Sequence, residues 1–192
     1  MSEVIRCGWC LSDQIYIDYH DKEWGVPVYD DQKHFEFLTL ESAQAGLSWL
    51  TILKRRDGYR RLYDNFNPHT VASYNEKQIS IMLNDTGIIR NRLKIESSIN
   101  NAGKFLDIVE KHGSFSNYFW SFTHGEQIIN HWNELKEIPP LTQLSDRISK
   151  DLKSRGFKFV GSTTIYAHLQ AAGIVNDHLV ACFRHREVIA KK

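Results

Sequence analysis

Two thiol and imidazole pairs lie at opposite ends of this chain of 192 residues, Cys7 with His20 and His178 with Cys182. Sulfur plus imidazole is the ligand set that tetrahedral zinc prefers, and the four-residue step from His178 to Cys182 predicts both side chains on one face of a helix. The first pair is more loosely spaced, and Cys10 is an alternative to His20 as ligand. Four protein ligands leave no position for water, so a Zn2+ held this way would be structural, tying the ends of the chain together. Metal-free buried or surface cysteines and histidines are the plain alternative. Cys7-Gly8-Trp9-Cys10 also has the spacing of a thiol-disulfide redox pair. Such a pair needs a strand before it and a helix starting at the first thiol, and only Met1 to Arg6 precede Cys7.

The second chemical feature is Leu40-Glu41-Ser-Ala-Gln44-Ala-Gly46-Leu47-Ser48-Trp49, an acid inside an otherwise apolar helical pattern. A buried carboxylate costs several kcal/mol unless it is paired or used, and burial raises its pKa. A surface glutamate, or one paired with arginine, is the competing reading. Trp9, Tyr16, Tyr19 and Trp24 add rings near the amino terminus, where core packing is the default. An acid among aromatic rings suits a flat, positively charged ligand, and a cationic base flipped out of DNA is one.

The elements that must position these groups read as helices. Asp30 and Asp31 can cap a helix through Phe35, Leu38 and Ala45, which breaks at Gly46 and restarts near Ser48 with Trp49, Ile52 and Leu53. Asn67-Pro68 is expected to close it. Asn75 opens a helix through Ile79 and Leu83, and Ile95, Ile99, Ala102, Leu106 and Val109 mark a long one with Gly113 as its C-cap. An aromatic stretch from Ser114 to Phe122 and a polar loop to Pro139-Pro140 follow. Leu144, Ile148 and Leu152, then Thr163 to Ala172, then Asp177 to Cys182, give further helices. Gly156 to Gly161 alternates like a strand but is too short to imply a sheet. The fold class is all-α, a single unit over 1–192, with a division into helical lobes of about 31–130 and of 1–30 plus 131–192 as an expectation.

Between two of these helices, Leu83-Asn-Asp-Thr-Gly87-Ile88-Ile89-Arg90-Asn-Arg92-Leu-Lys94 forms a turn centred on glycine that looks like a helix-hairpin-helix element. Glycine would let the backbone approach a phosphate, with Arg90 and Lys94 helping; an ordinary helical turn is the alternative. The net charge of +1 does not itself suggest nucleic acid, but Lys54 to Arg61 holds five basic residues against one acid, and Lys150 to Lys158 and Arg184 to Lys192 are also basic. A solvated helix face explains any one such cluster. With Cys 3, no secretory signal and no long apolar run, the chain reads as cytoplasmic, with no membrane and no disulfide framework. A monomer with no protein partner is the default expectation.

Taken together the motifs resemble the 3-methyladenine DNA glycosylase I family of bacterial type over nearly the whole length. The matching stretches are Arg6 to Trp9, Tyr19 to Gly25, Glu41 to Trp49 with Leu53-Lys54, Gly87 to Arg90, Gly156 to Gly161 and Val175 to His178. The resemblance implies a helix-hairpin-helix glycosylase-like fold and a structural zinc on Cys7, His20, His178 and Cys182, with Cys10 outside the pattern. It also implies Glu41 against the adenine edge, Trp49 and Trp9 stacking on the base, Tyr16 and Tyr19 lining the pocket, and Trp24 supporting it.

The implied reaction is hydrolysis of the N-glycosidic bond of 3-methyladenine in alkylated double-stranded DNA, with no lyase step. Methylation at N3 makes the base cationic, so it leaves as a neutral molecule and needs little acid catalysis. Flipping, acceptance of hydrogen bonds by Glu41 and ring stacking would be the main tasks. The resemblance implies no catalytic aspartate after the hairpin, and none stands out between Lys94 and Phe105. Leu47, at the break between helices, is expected to enter the gap in the duplex, with Gly46 allowing close approach. Two other classes compete: a non-catalytic helix-hairpin-helix DNA-binding protein, and an oxidoreductase using Cys7 and Cys10.

Overall fold

The second helix of the chain, not its ends, organises the molecule. In the computed structural model, which describes residues 4–189, α1 (Gln14–Lys22) precedes α2 (Asp31–Gln44), and every residue of α2 from His34 to Ala43 is buried. A helix buried all round has no polar face to show solvent, so its polar members need partners inside the protein. Around it pack α3 (Trp49–Leu53), α7 (Arg92–His112), α8 (Phe115–Ser121) and α10 (Ser162–Ala171). The others are α4 (Arg56–Leu62), α5 (Pro68–Ala72), α6 (Glu76–Asn84), α9 (Gln143–Ser154) and α11 (Arg184–Glu187).

Side-chain caps set most helix starts. Asp30, Ser48, Asn67, Asn75, Asn91, Ser114 and Thr142 each accept a backbone N–H from the first turn of the helix that follows. Asn67-Pro68 therefore opens α5 instead of only closing the preceding helix, because proline at N1 lacks just the N–H that a first turn leaves unused. The expected helix after Ser48 is two helices, α3 and α4. In α7 the buried face is carried by Ile95, Ala102, Phe105 and Ile108, whereas Leu106 and Val109 are half-buried.

Two expectations are corrected. Residues 177–182 are irregular backbone and turns, so the spacing of His178 and Cys182 is not that of a helix. The alternating stretch 156–161 is not a strand: the strands among the described residues are β1 (Ile128–Ile129) and β2 (Val175–Asn176), paired in parallel. Asp177, just after β2, explains why this segment holds its course. Its buried carboxylate accepts hydrogen bonds from Asn130, Trp132, Tyr166 and Gln170, leaving the chain no freedom to coil.

Among the described residues no helix is long and apolar enough to cross a membrane. Of the basic tail, 190–192 lie outside the described residues.

Candidate active site

A cavity of about 370 Å³ opens between α1, α2, α3 and α10, lined by Trp9, Tyr16, Tyr19, Trp24, Glu41 and Trp49. Gln44, Leu135, Ile138, Ala167 and Gln170 complete its wall. Every aromatic residue singled out in the sequence reaches this one space. Trp9 packs edge-on against Tyr16 at 4.9 Å between ring centroids and against Trp24 at 5.0 Å, while Tyr19 lies 5.5 Å from Trp49. Leu135 and Ile138 come from the polar loop and Ala167 and Gln170 from α10; a periodicity argument sees no chemistry there. Gln170 donates its amide N–H to Asp177 at 2.7 Å, which turns its carbonyl oxygen the other way.

Glu41 is 4% exposed and has one hydrogen-bond partner, the Nδ1 of His168 at 3.1 Å from Oε2. Burial pushes the Glu41 carboxyl well above the usual carboxylate range and pulls the imidazole of His168 down to about 3. The contact at rest is thus a hydrogen bond between neutral groups, not an ion pair. The other oxygen, Oε1, is buried without a partner, and so is Nε1 of Trp49. An orphaned acceptor and an orphaned donor in one aromatic cavity are costly unless a ligand meets them. The contrast with Glu36 on the same helix is informative. There Arg56 and Lys33 supply charge-assisted hydrogen bonds at 2.8 Å each, and burial is overcome so that the carboxyl is held below its usual range.

Behind the rings lies a second cluster. The ligand atoms of Cys7, His20, His178 and Cys182 lie within 4.8 Å of one another, and all four residues are buried. Sulfur-to-nitrogen separations are 3.7 Å for Cys7 with His178, 3.6 Å for Cys182 with His178 and 3.4 Å for Cys182 with His20. Tetrahedral zinc with ordinary Zn–S and Zn–N bonds sets sulfur and nitrogen about 3.6 Å apart, so the four side chains fit that ion. Their outer partners also fit. His20 meets Asp21 at 2.7 Å through Nδ1, and His178 meets the carbonyl of Trp24 at 3.0 Å through Nε2, leaving Nε2 of His20 and Nδ1 of His178 turned inward. Arg6 fixes Asp21 in turn, at 2.8 and 2.9 Å. Trp24, at 4.5 Å from the His178 ring, is the wall between this cluster and the cavity.

Cys10 stands outside the quartet, its thiol donating to the Cys7 carbonyl at 3.1 Å. Burial pushes this thiol up to about 11, the reverse of what an attacking thiol needs, so the redox reading of Cys7 and Cys10 has no support.

The residues expected to contact DNA divide. Gly46 has φ +78 with open space around it, and neighbouring Leu47 is 40% exposed at the break between α2 and α3. Lys94 is committed inward, its ammonium donating to the carbonyls of Ala43 and Ala45 at 2.8 and 2.7 Å, where it caps α2. Ile88 is buried and Arg90 exposed. Gly87 makes its close approach inside the protein: a Cβ on Gly58 of α4 would lie 2.2 Å from the Gly87 carbonyl oxygen. Gly58, not singled out in the sequence, is what lets α4 and the hairpin touch. Most of the basic run from Lys54 to Arg61 is spent on ion pairs, with Asp13, Glu23, Glu36, Asp57 and Asp85.

A sequence profile of methyladenine glycosylases matches residues 9–185. The DNA-3-methyladenine glycosylase 1 of Escherichia coli (strain K12) is 47% identical over 177 residues, which are 92% of this chain and 95% of that one. The structure of 3-methyladenine DNA glycosylase I from Staphylococcus aureus, solved to explain 3-methyladenine recognition, superposes with a TM-score of 0.91 at 35% identity and covers 97% of both chains. A variant of a 3-methyladenine DNA glycosylase I in complex with 3-methyladenine superposes with a TM-score of 0.90 at 36% identity, covering 93% of this chain and 96% of that one. With the profile spanning the cavity and three of the four cluster residues, this chain belongs to the methyladenine glycosylase family.

Proposed function

We propose that the protein excises 3-methyladenine from alkylated double-stranded DNA by hydrolysing its N-glycosidic bond, and that the aromatic cavity receives the flipped base. The observation that carries this reading is the unpartnered Oε1 of Glu41 in a cavity walled by four tryptophan and tyrosine rings plus Trp24. A cationic base offers what that site lacks: amino hydrogens for Oε1, and a positive face for the rings. The leaving base is neutral, so little proton transfer to it is required, and the work of the protein is to hold the cation and the developing charge in a dry, preset environment. Unmethylated adenine would have to leave as an anion and stays in place. Release without a lyase step fits a cavity with no lysine in its lining.

Leu47 is read as the wedge that fills the gap left in the duplex, because it is exposed on a turn whose glycine leaves the approach open. The loop 85–91 between α6 and α7 is read as the phosphate contact of a helix-hairpin-helix, made by backbone N–H groups and Arg90, with Lys94 shaping the loop instead of touching DNA. We read the four-residue cluster as a structural zinc site. A bound zinc would supply a cross-link between the two ends of the chain, and with four protein ligands it would take no part in the reaction. Its residues hold Trp24 and Trp9 from behind.

Incubation with methylated duplex DNA and chromatography of the released bases tests the function. Free 3-methyladenine is the expected product. Tight binding to the same duplex without any base release would replace this reading with a DNA-binding module.

A further inference from the structure

Behind Glu41 the polar atoms stand in single file. His34 Nε2 lies 3.1 Å from the carbonyl oxygen of Val28, His34 Nδ1 lies 3.0 Å from His168 Nε2, and His168 Nδ1 lies 3.1 Å from Glu41 Oε2. Glu41, His34 and His168 are all buried, so an unmet donor or acceptor in the file is expensive. Val28 can only accept, so His34 carries its proton on Nε2. A neutral His34 then has a bare Nδ1, which must receive the Nε2–H of His168. That leaves His168 Nδ1 bare as well, facing Glu41. The file closes only with one proton between Glu41 and His168, held as O–H or as N–H.

We propose that His168, held by His34, is the positioning residue for the proton of Glu41: at rest Oε2–H is donated to His168 Nδ1, and when a cationic base enters, the proton passes to Nδ1 so that the base meets a carboxylate. One O–H bond breaks and one N–H bond forms, and no proton leaves or enters the site. The inference rests on the reading of the cavity as a site for a cationic base. Its asymmetry is in the structure: Oε2 is committed to His168, and Oε1 is the oxygen left for the ligand.

Burial favours the neutral arrangement of the empty site, raising the Glu41 carboxyl and lowering both His168 and His34 to about 3. A positive ligand beside the carboxyl shifts the balance, since the attraction between base and carboxylate acts at shorter range than the repulsion between base and imidazolium. Other titratable groups facing the file are Tyr19 beside Glu41, with Glu23 and Arg56 beyond it, and Asp30 and Asp31 beside His34. Phe115 and Phe119 pack their rings against His34, and Phe119 also packs against His168.

Nitrogen NMR of the free wild-type protein labelled at histidine is the first test, and it depends on no variant. Both His34 and His168 should be neutral and protonated on Nε2; a His168 protonated on Nδ1 overturns the proposal. The second test is the pH profile of 3-methyladenine release from methylated duplex DNA by His168→Asn. The wild type, which keeps the proton inside, should be flat from about pH 6 to 8. The variant must lose the Glu41 proton to solvent, so its kcat/KM should fall about 10- to 100-fold at neutral pH and recover about tenfold per pH unit as pH rises. A uniform loss with the wild-type profile would make His168 a packing residue only and overturn the proposal. Glu41→Gln separates the two readings. Full base release by that variant would overturn the cavity assignment itself, whereas impairment there with a wild-type profile for His168→Asn would sink the proton file alone.

Discussion

Removing the zinc proposed for the Cys7, His20, His178 and Cys182 cluster is expected to cost the protein a large part of its stability and, through Trp24, the shape of its cavity. The size of the effect follows from the chain separations. Cys7 and His178 are 171 residues apart and His20 and Cys182 are 162 apart, so an ion joining them closes nearly the whole chain into a loop. The loop-closure relation used for cross-links gives about 5 kcal/mol for a loop of that length. For a protein of this size, each kcal/mol shifts Tm by roughly 2 to 4 °C, so the midpoint should fall by about 10 to 20 °C. Cys182→Ser removes one ligand and should act in the same direction. The assay is thermal unfolding with and without a chelator, read beside elemental analysis for zinc. A protein that contains no zinc as purified, or whose Tm is the same in Cys182→Ser as in the wild type, refutes the reasoning. Tryptophan fluorescence supplies an independent readout, because Trp24 lies 4.5 Å from the His178 ring and 5.0 Å from Trp9.

Three smaller perturbations probe the rest. Gly58→Ala would place a Cβ 2.2 Å from the Gly87 carbonyl, so α4 and the hairpin must separate by about 1 Å; a loss of roughly 1 to 3 kcal/mol in chemical denaturation is expected, with weaker duplex binding. Unchanged stability would show that the two backbones are not in contact. Leu47→Ala is exposed and should leave stability within about 0.5 kcal/mol, but should slow base release from duplex without weakening the binding of free 3-methyladenine; equal losses in both assays would remove its wedge role. Glu23 is buried enough that its pKa would rise, yet Arg56 and Lys33 pull it down to about 2. A carboxyl depressed on folding stabilises the native state above its unfolded pKa near 4.5 and loses that contribution as pH falls toward 2, so Glu23→Gln should flatten acid unfolding across that window, by at most about 3 kcal/mol.

Much of the site was legible because its residue types are wrong for a core. Glu41, the paired cysteines and histidines, and the run of rings from Trp9 to Trp24 have no business in an apolar pattern unless used, and the structure gathers them around one cavity and one cluster. What escaped were residues whose types are ordinary. Gly58 is one glycine in a basic helix, and only the packing of α4 on the hairpin shows why no side chain fits. His34 shares a face of α2 with Glu41, seven residues on, but His168 lies 134 residues from the one and 127 from the other, and only the packing of α10 on α2 brings it between them. Lys94 was expected at a phosphate because charge counts cannot see that two carbonyls at the end of α2 need a donor. The helical reading of His178 and Cys182 failed for a related reason: spacing describes one element, whereas the geometry of this cluster comes from three separate stretches of chain, with the last of them pinned by Asp177 and Trp24.

Base release by Glu41→Gln is the most direct test of the central claim, that a buried carboxyl meets a cationic base in this cavity. The amide has the shape of a protonated carboxyl and can donate to His168 Nδ1, so the variant should fold with near wild-type stability. It cannot become an anion. Release of 3-methyladenine from methylated duplex should therefore fall by about 100-fold or more, the scale of losing one preset electrostatic partner of a reacting group. A folded Glu41→Gln protein that releases the base at the wild-type rate would contradict the account.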